Sequence, residues 1–187
     1  TSLQSIEFRR LGKNKPSDCI KVLNNGFLLA ALYAVLVSFL GWSCGFLIIP
    51  LFIVDDITTP LAISYFSISS LGLFFNSISF VFQGFYTGVE KTKFLMTVNI
   101  TSNVINVYLN AGLIYGSDGV RLFFTETVPS LSFLSHLWQW TSFPALGVKG
   151  AAIATLIASL WMSGHYCAYL SSKQIKTRFA VFSLSVD

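Results

Sequence analysis

Charged residues are scarce in this sequence. They make up 11% of its 187 residues, whereas 53% are hydrophobic and 16% are aromatic. Soluble globular chains carry about a quarter charged residues, so this composition excludes a cytosolic enzyme, a disordered tail and a nucleic-acid-binding domain. The mean hydropathy of +0.68 indicates that much of the chain faces a solvent other than water.

Cysteine and catalytic motifs are also lacking. The three cysteines, Cys19, Cys44 and Cys167, lie far apart, which excludes a disulfide framework and a metal site built on cysteine. Neither a nucleophile paired with a base nor a glycine-rich phosphate loop is present, so we predict no catalytic residue, no metal site and no enzyme activity. The chain starts at Thr1 with no signal-peptide pattern, and we expect it to be part of a longer chain.

Long runs without charge divide the sequence. A membrane-spanning helix needs about 20 mostly apolar residues, and four runs meet that requirement. They predict transmembrane helices over residues 22–54, 57–89, 94–117 and 148–172. The runs are far longer than the segments of about ten residues that form barrel strands. The predicted fold is therefore all-α, a polytopic bundle of membrane helices.

A fifth uncharged run, from Thr127 to Val148, has a different character. It contains two prolines, several serines and the pair Trp138 and Trp140. Tryptophan prefers the headgroup level of a bilayer, where its ring is in an apolar setting and its N–H group remains hydrated. We therefore predict that residues 118–147 form a loop that lies on one surface of the membrane.

The basic residues predict the orientation of these helices. With four crossings, ten of the twelve Lys and Arg residues fall on one side of the membrane, as the positive-inside rule requires of the cytoplasm. Residues 1–21 are then a basic cytoplasmic loop, residues 173–187 a cytoplasmic tail, and residues 118–147 an extracytoplasmic loop. We predict a multi-pass protein of the cytoplasmic membrane whose partners include membrane lipid and exclude nucleic acid.

The third predicted helix carries a stripe of four carboxamides. Asn99, Asn103, Asn106 and Asn110 are separated by four, three and four residues, which places them along one side of a helix with 3.6 residues per turn. Such a stripe is expected to face other helices or a hydrated cavity, because hydrocarbon offers no hydrogen bonds. The oxygens of Asn106, Asn110 and Thr155 can act as neutral ligands for Na⁺ or bond an acid on another helix. Equally, the amides can simply join helices.

The second and fourth predicted helices also have polar sides. Small polar residues at such positions usually serve helix packing, and we interpret most of them in that way. The polar positions are Ser69, Gly72, Asn76, Ser79 and Gln83 on the second helix, and Thr155, Ser159, Ser163 and Tyr166 on the fourth.

Several of these features occur together in an order that resembles a known family. Gly84 and Gly88 precede the Lys91-Thr92 turn, and the sequence NVINVYLNAGLIYG contains Asn106 and Asn110. The most specific piece is LGVKGAAIAT, which ends at Thr155. Over about residues 9–172 the chain resembles the multidrug and toxic compound extrusion (MATE) transporters.

The resemblance implies a fold and a function. The four helices would be the third to sixth of twelve, within one six-helix lobe, and the remaining helices of the same full-length chain would be their partners. The protein would be a secondary active antiporter that exports small organic cations or drugs in exchange for Na⁺ or H⁺, without a further cofactor, and this portion would not be active alone.

The resemblance also implies a cation site. The site maps onto Asn106, Asn110 and Thr155, with Asn76 added. With a transported substrate implied, we predict that Asn103, Gln83 and Tyr166 line a substrate cavity. Many family members have Asp at the position of Asn110, which leaves the coupling ion open between Na⁺ and H⁺. Two other functions stay open: a lipid-linked oligosaccharide flippase or exporter of related architecture, and a non-transporting membrane subunit that only packs against a partner.

Overall fold

Four long helices make up most of the structure. The computed structural model describes residues 16–171, with side chains from residue 23, and this range contains no strand. The helices are α1 (Pro16–Phe52), α2 (Thr58–Gly88), α3 (Thr92–Leu122) and α4 (Val148–Leu170). The predicted all-α fold is confirmed. The predicted tail and residues 1–15 of the predicted cytoplasmic loop lie outside the described residues.

The helix bounds differ from the prediction mainly in α1 and α3. Helix α1 begins at Pro16 instead of residue 22, and proline suits a first helical turn because its missing N–H group would have no partner there. Helix α3 continues past residue 117 to Leu122, but its backbone leaves the helical conformation at Gly116, where φ is 77° and ψ is 156°. The chain between α3 and α4 forms a π-helical turn (Phe123–Thr127) and a 3-10 segment (Pro129–Trp138).

Three of the helices are long and apolar enough to cross a membrane. They are Leu23–Phe52, Thr58–Gly88 and Val148–Leu170. Helix α3, which we also predicted to span, falls below this level of apolarity because its asparagines and threonines replace aliphatic residues. Its length still equals that of α2, since both have 31 residues.

The chain divides into two compact units. Within the described residues, unit one contains 16–39, 72–102 and 159–171, and unit two contains Leu40–Leu71 and Asn103–Ala158. Each unit includes a stretch of all four helices, and unit two also includes the connection between α3 and α4.

Aromatic side chains form the core of unit one. Tyr86 on α2 and Tyr166 on α4 are fully buried, and the Tyr86 hydroxyl donates to the backbone oxygen of Tyr166 at 2.6 Å. Hydrogen bonds of this kind between helices contribute about 0.6 to 2 kcal/mol in a membrane, where packing replaces the hydrophobic effect as the main attraction. The core residues are Leu23, Ile78, Phe82, Phe85, Tyr86, Val89, Val98 and Tyr166.

The hydroxyl groups of the helical serines find hydrogen-bond partners in two ways. Many donate to the carbonyl four residues earlier in the same helix and need no partner from another helix. Ser79 and Ser163 in unit one go further, because their hydroxyls lie 2.8 Å apart and both reach the carbonyl oxygen of Phe75. This pair joins α2 to α4. The serines that bond within their own helix include Ser64, Ser67, Ser70 and Ser77.

A tight turn connects α2 to α3. The N–H of Lys91 donates to the carbonyl of Tyr86 at 2.8 Å, and the N–H of Glu90 donates to that of Thr87 at 3.2 Å. This pair of bonds is the Schellman pattern, which closes the end of a helix with one residue in the left-handed conformation. Glu90 occupies that position with φ at 60°. The turn therefore places steric strain on a residue that has a Cβ atom.

We expect Glu90→Gly to stabilise the protein. Glycine adopts the left-handed conformation without the steric cost of about 1 kcal/mol that other residues incur. The thermal unfolding midpoint in detergent, followed by circular dichroism, is expected to rise. Glu90→Ala removes the same charge but keeps the Cβ atom, so it should leave the midpoint nearly unchanged; equal shifts for both variants would contradict the backbone explanation.

Asp55 caps the start of α2. Its Oδ2 accepts hydrogen bonds from the backbone N–H of Thr58 at 2.7 Å and from the Thr58 hydroxyl at 2.5 Å. Its backbone carbonyl accepts from the N–H of Thr59 at 3.0 Å, which is the usual arrangement of an N-cap residue. The hydrogen bond from the Thr58 side chain, followed by that from its backbone, lowers the pKa of Asp55 below its ordinary value of 3.8.

This cap predicts a loss of stability in acid. Because the folded-state pKa is lowered, the contribution of Asp55 is fully present above pH 3.8 and disappears as the pH falls through the lowered value. Asp55→Asn keeps a capping oxygen without a titrating group, so the fall of its unfolding midpoint in acid should be smaller than in the wild type. Asp56→Asn, at the exposed neighbouring residue, should retain the full fall; identical acid profiles for all three proteins would exclude the role of Asp55.

Candidate functional site

A polar cluster joins α3 to α4 in unit two. The side-chain amide of Asn110 donates to the Oδ1 atom of Asn106 at 2.9 Å. The amide of Asn106 in turn donates to the hydroxyl oxygen of Thr155 across a long contact of 3.5 Å, and the Thr155 hydroxyl donates to the carbonyl of Ala151 at 3.0 Å. The structure thus brings together three of the four residues predicted for the cation site.

Backbone packing positions this cluster. Asn106 and Asn110 meet because they are four residues apart on one helix. Thr155 reaches them from α4, whose backbone approaches α3 closely at Gly150. A Cβ atom on Gly150 would overlap the carbonyl group of Leu113 and would lie only 2.5 Å from its carbon. The absence of a side chain at Gly150 therefore sets the spacing between the two helices beside the cluster.

The cluster contains neutral oxygen ligands and no titratable group. Asn106 and Asn110 are half-buried, and Thr155 is exposed. The Asn106 Oδ1 atom accepts a hydrogen bond from Asn110, but a carbonyl oxygen has two lone pairs and keeps one for a further partner. Oxygens of this kind suit hard cations such as Na⁺. They cannot bind and release a proton by themselves, because amides and hydroxyls do not titrate near neutral pH.

The other two asparagines of the stripe have different surroundings. In unit one, Asn99 is half-buried and its Oδ1 atom accepts a hydrogen bond from the Tyr166 hydroxyl at 3.1 Å. In unit two, Asn103 is exposed and lies on an open groove of about 520 Å³ that also includes Val104, Tyr108 and Trp138. Three of the four amides therefore bond inside the described chain, and the fourth borders a groove.

The remaining predicted site residues lie in unit one. Asn76 and Gln83 are half-buried on α2, and the Gln83 amide is 4.0 Å from the sulfur of Met162. Tyr166 is fully buried, and its hydroxyl is bonded to Asn99. Their roles in a cation site or a substrate cavity stay predictions.

Sequence analysis missed the packing of the connection between α3 and α4. Trp138 stacks on Tyr108 with ring centroids 5.0 Å apart, and the Tyr108 hydroxyl donates to the carbonyl of Leu137 at 3.0 Å. Added Cβ atoms on Gly112 and Gly116 would contact Phe143 and Ala145 of the connection. The available signal was the spacing of these two glycines, which matches a motif for close packing of membrane helices; here the returning loop packs against them.

Comparison with known proteins decides the family. The family model described as MatE matches residues 1–111, more than half of the chain. The chain belongs to the MatE family. MatE proteins are polytopic membrane transporters and not enzymes, so this chain is part of a multi-pass MATE-type transporter. No curated protein and no solved structure matches it significantly.

The MatE match covers only part of the candidate site. It includes Asn106 and Asn110 but ends at residue 111. Thr155, the connection, and the sequence LGVKGAAIAT that contributed most to the resemblance lie beyond it. The geometry of unit two supplies the link between the matched asparagines and Thr155, through the hydrogen bond from the Asn106 amide.

We expect Gly150→Ala to destabilise this MatE chain. The new methyl group would overlap the Leu113 carbonyl, and a rigid backbone cannot give way as a side-chain tip can. Overpacking of this kind costs about 1 to 3 kcal/mol, and the unfolding midpoint in detergent should fall. Gly164→Ala is the matched control on the same helix, since a Cβ atom there meets open space; a comparable fall in the control would show that the Leu113 contact is not the cause.

Proposed function

We propose that this chain contributes to a secondary active antiporter that exports organic cations or drugs in exchange for Na⁺ or H⁺. Membership of the MatE family supports transport in general. The observation that carries the finer proposal is the cluster of Asn110, Asn106 and Thr155, in which neutral oxygens from two helices meet beside a close backbone contact.

In the proposed mechanism the coupling ion competes with a contact between helices. A cation bound to the oxygens of Asn106 and Thr155 requires the Asn106 amide group to turn away from Thr155, because an N–H donor and a cation repel each other. The bond that must break is the 3.5 Å contact, the longest in the cluster. Ion binding therefore loosens the attachment of α4 to α3 at this point. An ion shifts a conformational equilibrium only by binding one state more tightly. Here the state in which the Asn106 amide has left Thr155 would bind the cation more tightly than the state in which the two side chains are bonded.

Na⁺ and H⁺ would interact with the cluster in different ways. Na⁺ can bind the oxygens directly. With H⁺ as the coupling ion, a carboxyl group from elsewhere in the protein must carry the proton, and the cluster then supplies hydrogen bonds to it. Asn110→Asp separates these cases: a carboxylate added to a Na⁺ site should preserve or strengthen Na⁺-driven efflux, whereas a newly titrating group in an H⁺-coupled protein should change the pH dependence of efflux.

The two alternative functions have less support. A flippase for lipid-linked oligosaccharides carries anionic diphosphate groups, which basic residues within the spans would bind. Between residues 94 and 117 of α3 the sequence has no Lys or Arg. A subunit that only packs against a partner has no use for an exposed threonine bonded to half-buried amides, and Thr155 is exposed.

Replacing either amide of the cluster tests the proposal. In the full-length protein, Asn106→Leu or Asn110→Leu should abolish ion-driven efflux, because leucine has a similar size but no oxygen. The measurement is efflux of a fluorescent organic cation from membrane vesicles, with a Na⁺ gradient and a pH gradient imposed separately and expression checked by immunoblot.

Thr97→Val is the matched control. It also removes a polar group from α3, but among the residues that the structure describes the Thr97 hydroxyl bonds only to the carbonyl of Lys93 in its own helix. Efflux should persist in this variant. Normal efflux by both leucine variants would remove Asn106 and Asn110 from the coupling site.

A further inference from the structure

The connection between α3 and α4 has an apolar surface that the transport proposal does not use. From Thr127 to Val148 it contains no Asp, Glu, Lys or Arg. Several of its large apolar side chains are exposed, and Trp140 is 92% exposed. The others with exposed apolar surface are Leu131, Phe133, Leu137 and Leu146.

The connection is nevertheless a folded segment. Trp138 is only 6% exposed and is stacked between Tyr108 at 5.0 Å and Phe124 at 6.1 Å, measured between ring centroids. Two hydrogen bonds between Phe143 and Ser117 fix its return. The Phe143 N–H donates to the Ser117 hydroxyl oxygen at 2.9 Å, and the Ser117 N–H donates to the Phe143 carbonyl at 3.1 Å. The exposed side chains are therefore carried by a backbone whose conformation is held by these contacts.

The backbone of the connection finds many of its partners within unit two. The π-helical turn and the 3-10 segment bond internally, and the segment that returns to α4 bonds to α3. The Leu146 N–H donates to the Leu113 carbonyl at 2.8 Å, and the Gly147 N–H donates to the Ile114 carbonyl at 3.2 Å. Unsatisfied backbone groups are what normally keep a loop out of a low-dielectric region. This loop has met much of that requirement through its own fold.

The position of the connection in the chain indicates that lipid covers its exposed apolar surface. The returning segment is bonded to α3 immediately before α4 begins at Val148, and α4 is one of the candidate membrane spans. The exposed apolar surface is thus continuous with the start of a span. The charged residues Asp118, Arg121 and Glu126 lie at the opposite end of the connection. Lys149 is the second residue of α4, and a lysine at the end of a membrane helix can extend its ammonium group to the headgroup level.

We propose that the connection is seated in the headgroup region of the bilayer, with Trp140 inserted among the lipids and Trp138 holding the segment in shape. Trp140 has the residue type that favours this depth, where its ring contacts lipid and its N–H group remains hydrated. The segment then anchors the entry of α4 to the membrane surface. This inference is independent of the coupling ion and of the transported substrate.

Two single-tryptophan versions of the chain test the proposal. The chain has four tryptophans, Trp42, Trp138, Trp140 and Trp161. One version keeps only Trp140 and the other only Trp138, with phenylalanine at the other positions. Phenylalanine preserves the ring at residue 138, where the indole N–H has no hydrogen-bond partner among the described residues. Each version is reconstituted in phosphatidylcholine vesicles brominated either near the headgroup or deep in the acyl chain, and fluorescence is also measured with aqueous iodide.

We expect Trp140 to show blue-shifted emission and to lose most of its fluorescence to the shallow bromines, with weaker loss to deep bromines and to iodide. Trp138 is the matched control, two residues away but buried in protein, and should lose less fluorescence to the bromines than Trp140. The proposal would be overturned if Trp140 showed the red-shifted emission of a fully hydrated indole, with quenching by iodide and no quenching by bromine. Shielding of Trp140 in native membranes but not in pure lipid vesicles would also overturn it, since a protein would then be the occupant.

Discussion

The structure depends on the lack of hydrogen-bond partners in hydrocarbon. A polar side chain on a membrane helix must bond to its own helix, to another helix or to water in a cavity. Ser64 and Ser67 use the first solution, by donating to carbonyls four residues earlier. Ser79, Ser163 and Tyr166 use the second, and their bonds tie α2, α3 and α4 together in unit one. Since lipid tails are as apolar as the side chains, these bonds and close packing provide the attraction that burial provides in water.

In unit two, the polar side chains that need hydrogen-bond partners lie next to a point where the backbones of two helices approach closely. Gly150 lets α4 lie against the Leu113 carbonyl, and Asn106 then reaches Thr155 across the two helices. In the proposed mechanism the 3.5 Å length of this bond matters. A site that must bind and release an ion benefits from a contact that is easily exchanged, whereas the shorter bond between Tyr86 and Tyr166 at 2.6 Å suits a core that keeps its arrangement. The family match reaches Asn106 and Asn110, so the exchangeable contact involves residues inside the matched region.

Much of the fold followed from local patterns in the sequence. Uncharged runs predicted the four helices, and the bounds of α2 and α4 were close, because a long apolar run ends where charged or turn-forming residues begin. The spacing of the asparagines predicted that Asn106 and Asn110 share one side of α3, and they bond to each other. The start of α1 and the break at Gly116 were not predicted: the first lies among charged residues, and the second depends on a backbone conformation that glycine permits without requiring it.

The sequence by itself determined which segments are helical and which residues share a helix side, because both follow from periodicity and composition along a single helix. Only the tertiary structure decided the partners: that Asn106 bonds Thr155, that Asn99 bonds Tyr166, and that Gly112 and Gly116 receive Phe143 and Ala145 of the returning connection. These contacts join residues distant in sequence. They depend on how closely two backbones approach and on how each helix is turned about its axis, and no pattern within one helix specifies either quantity.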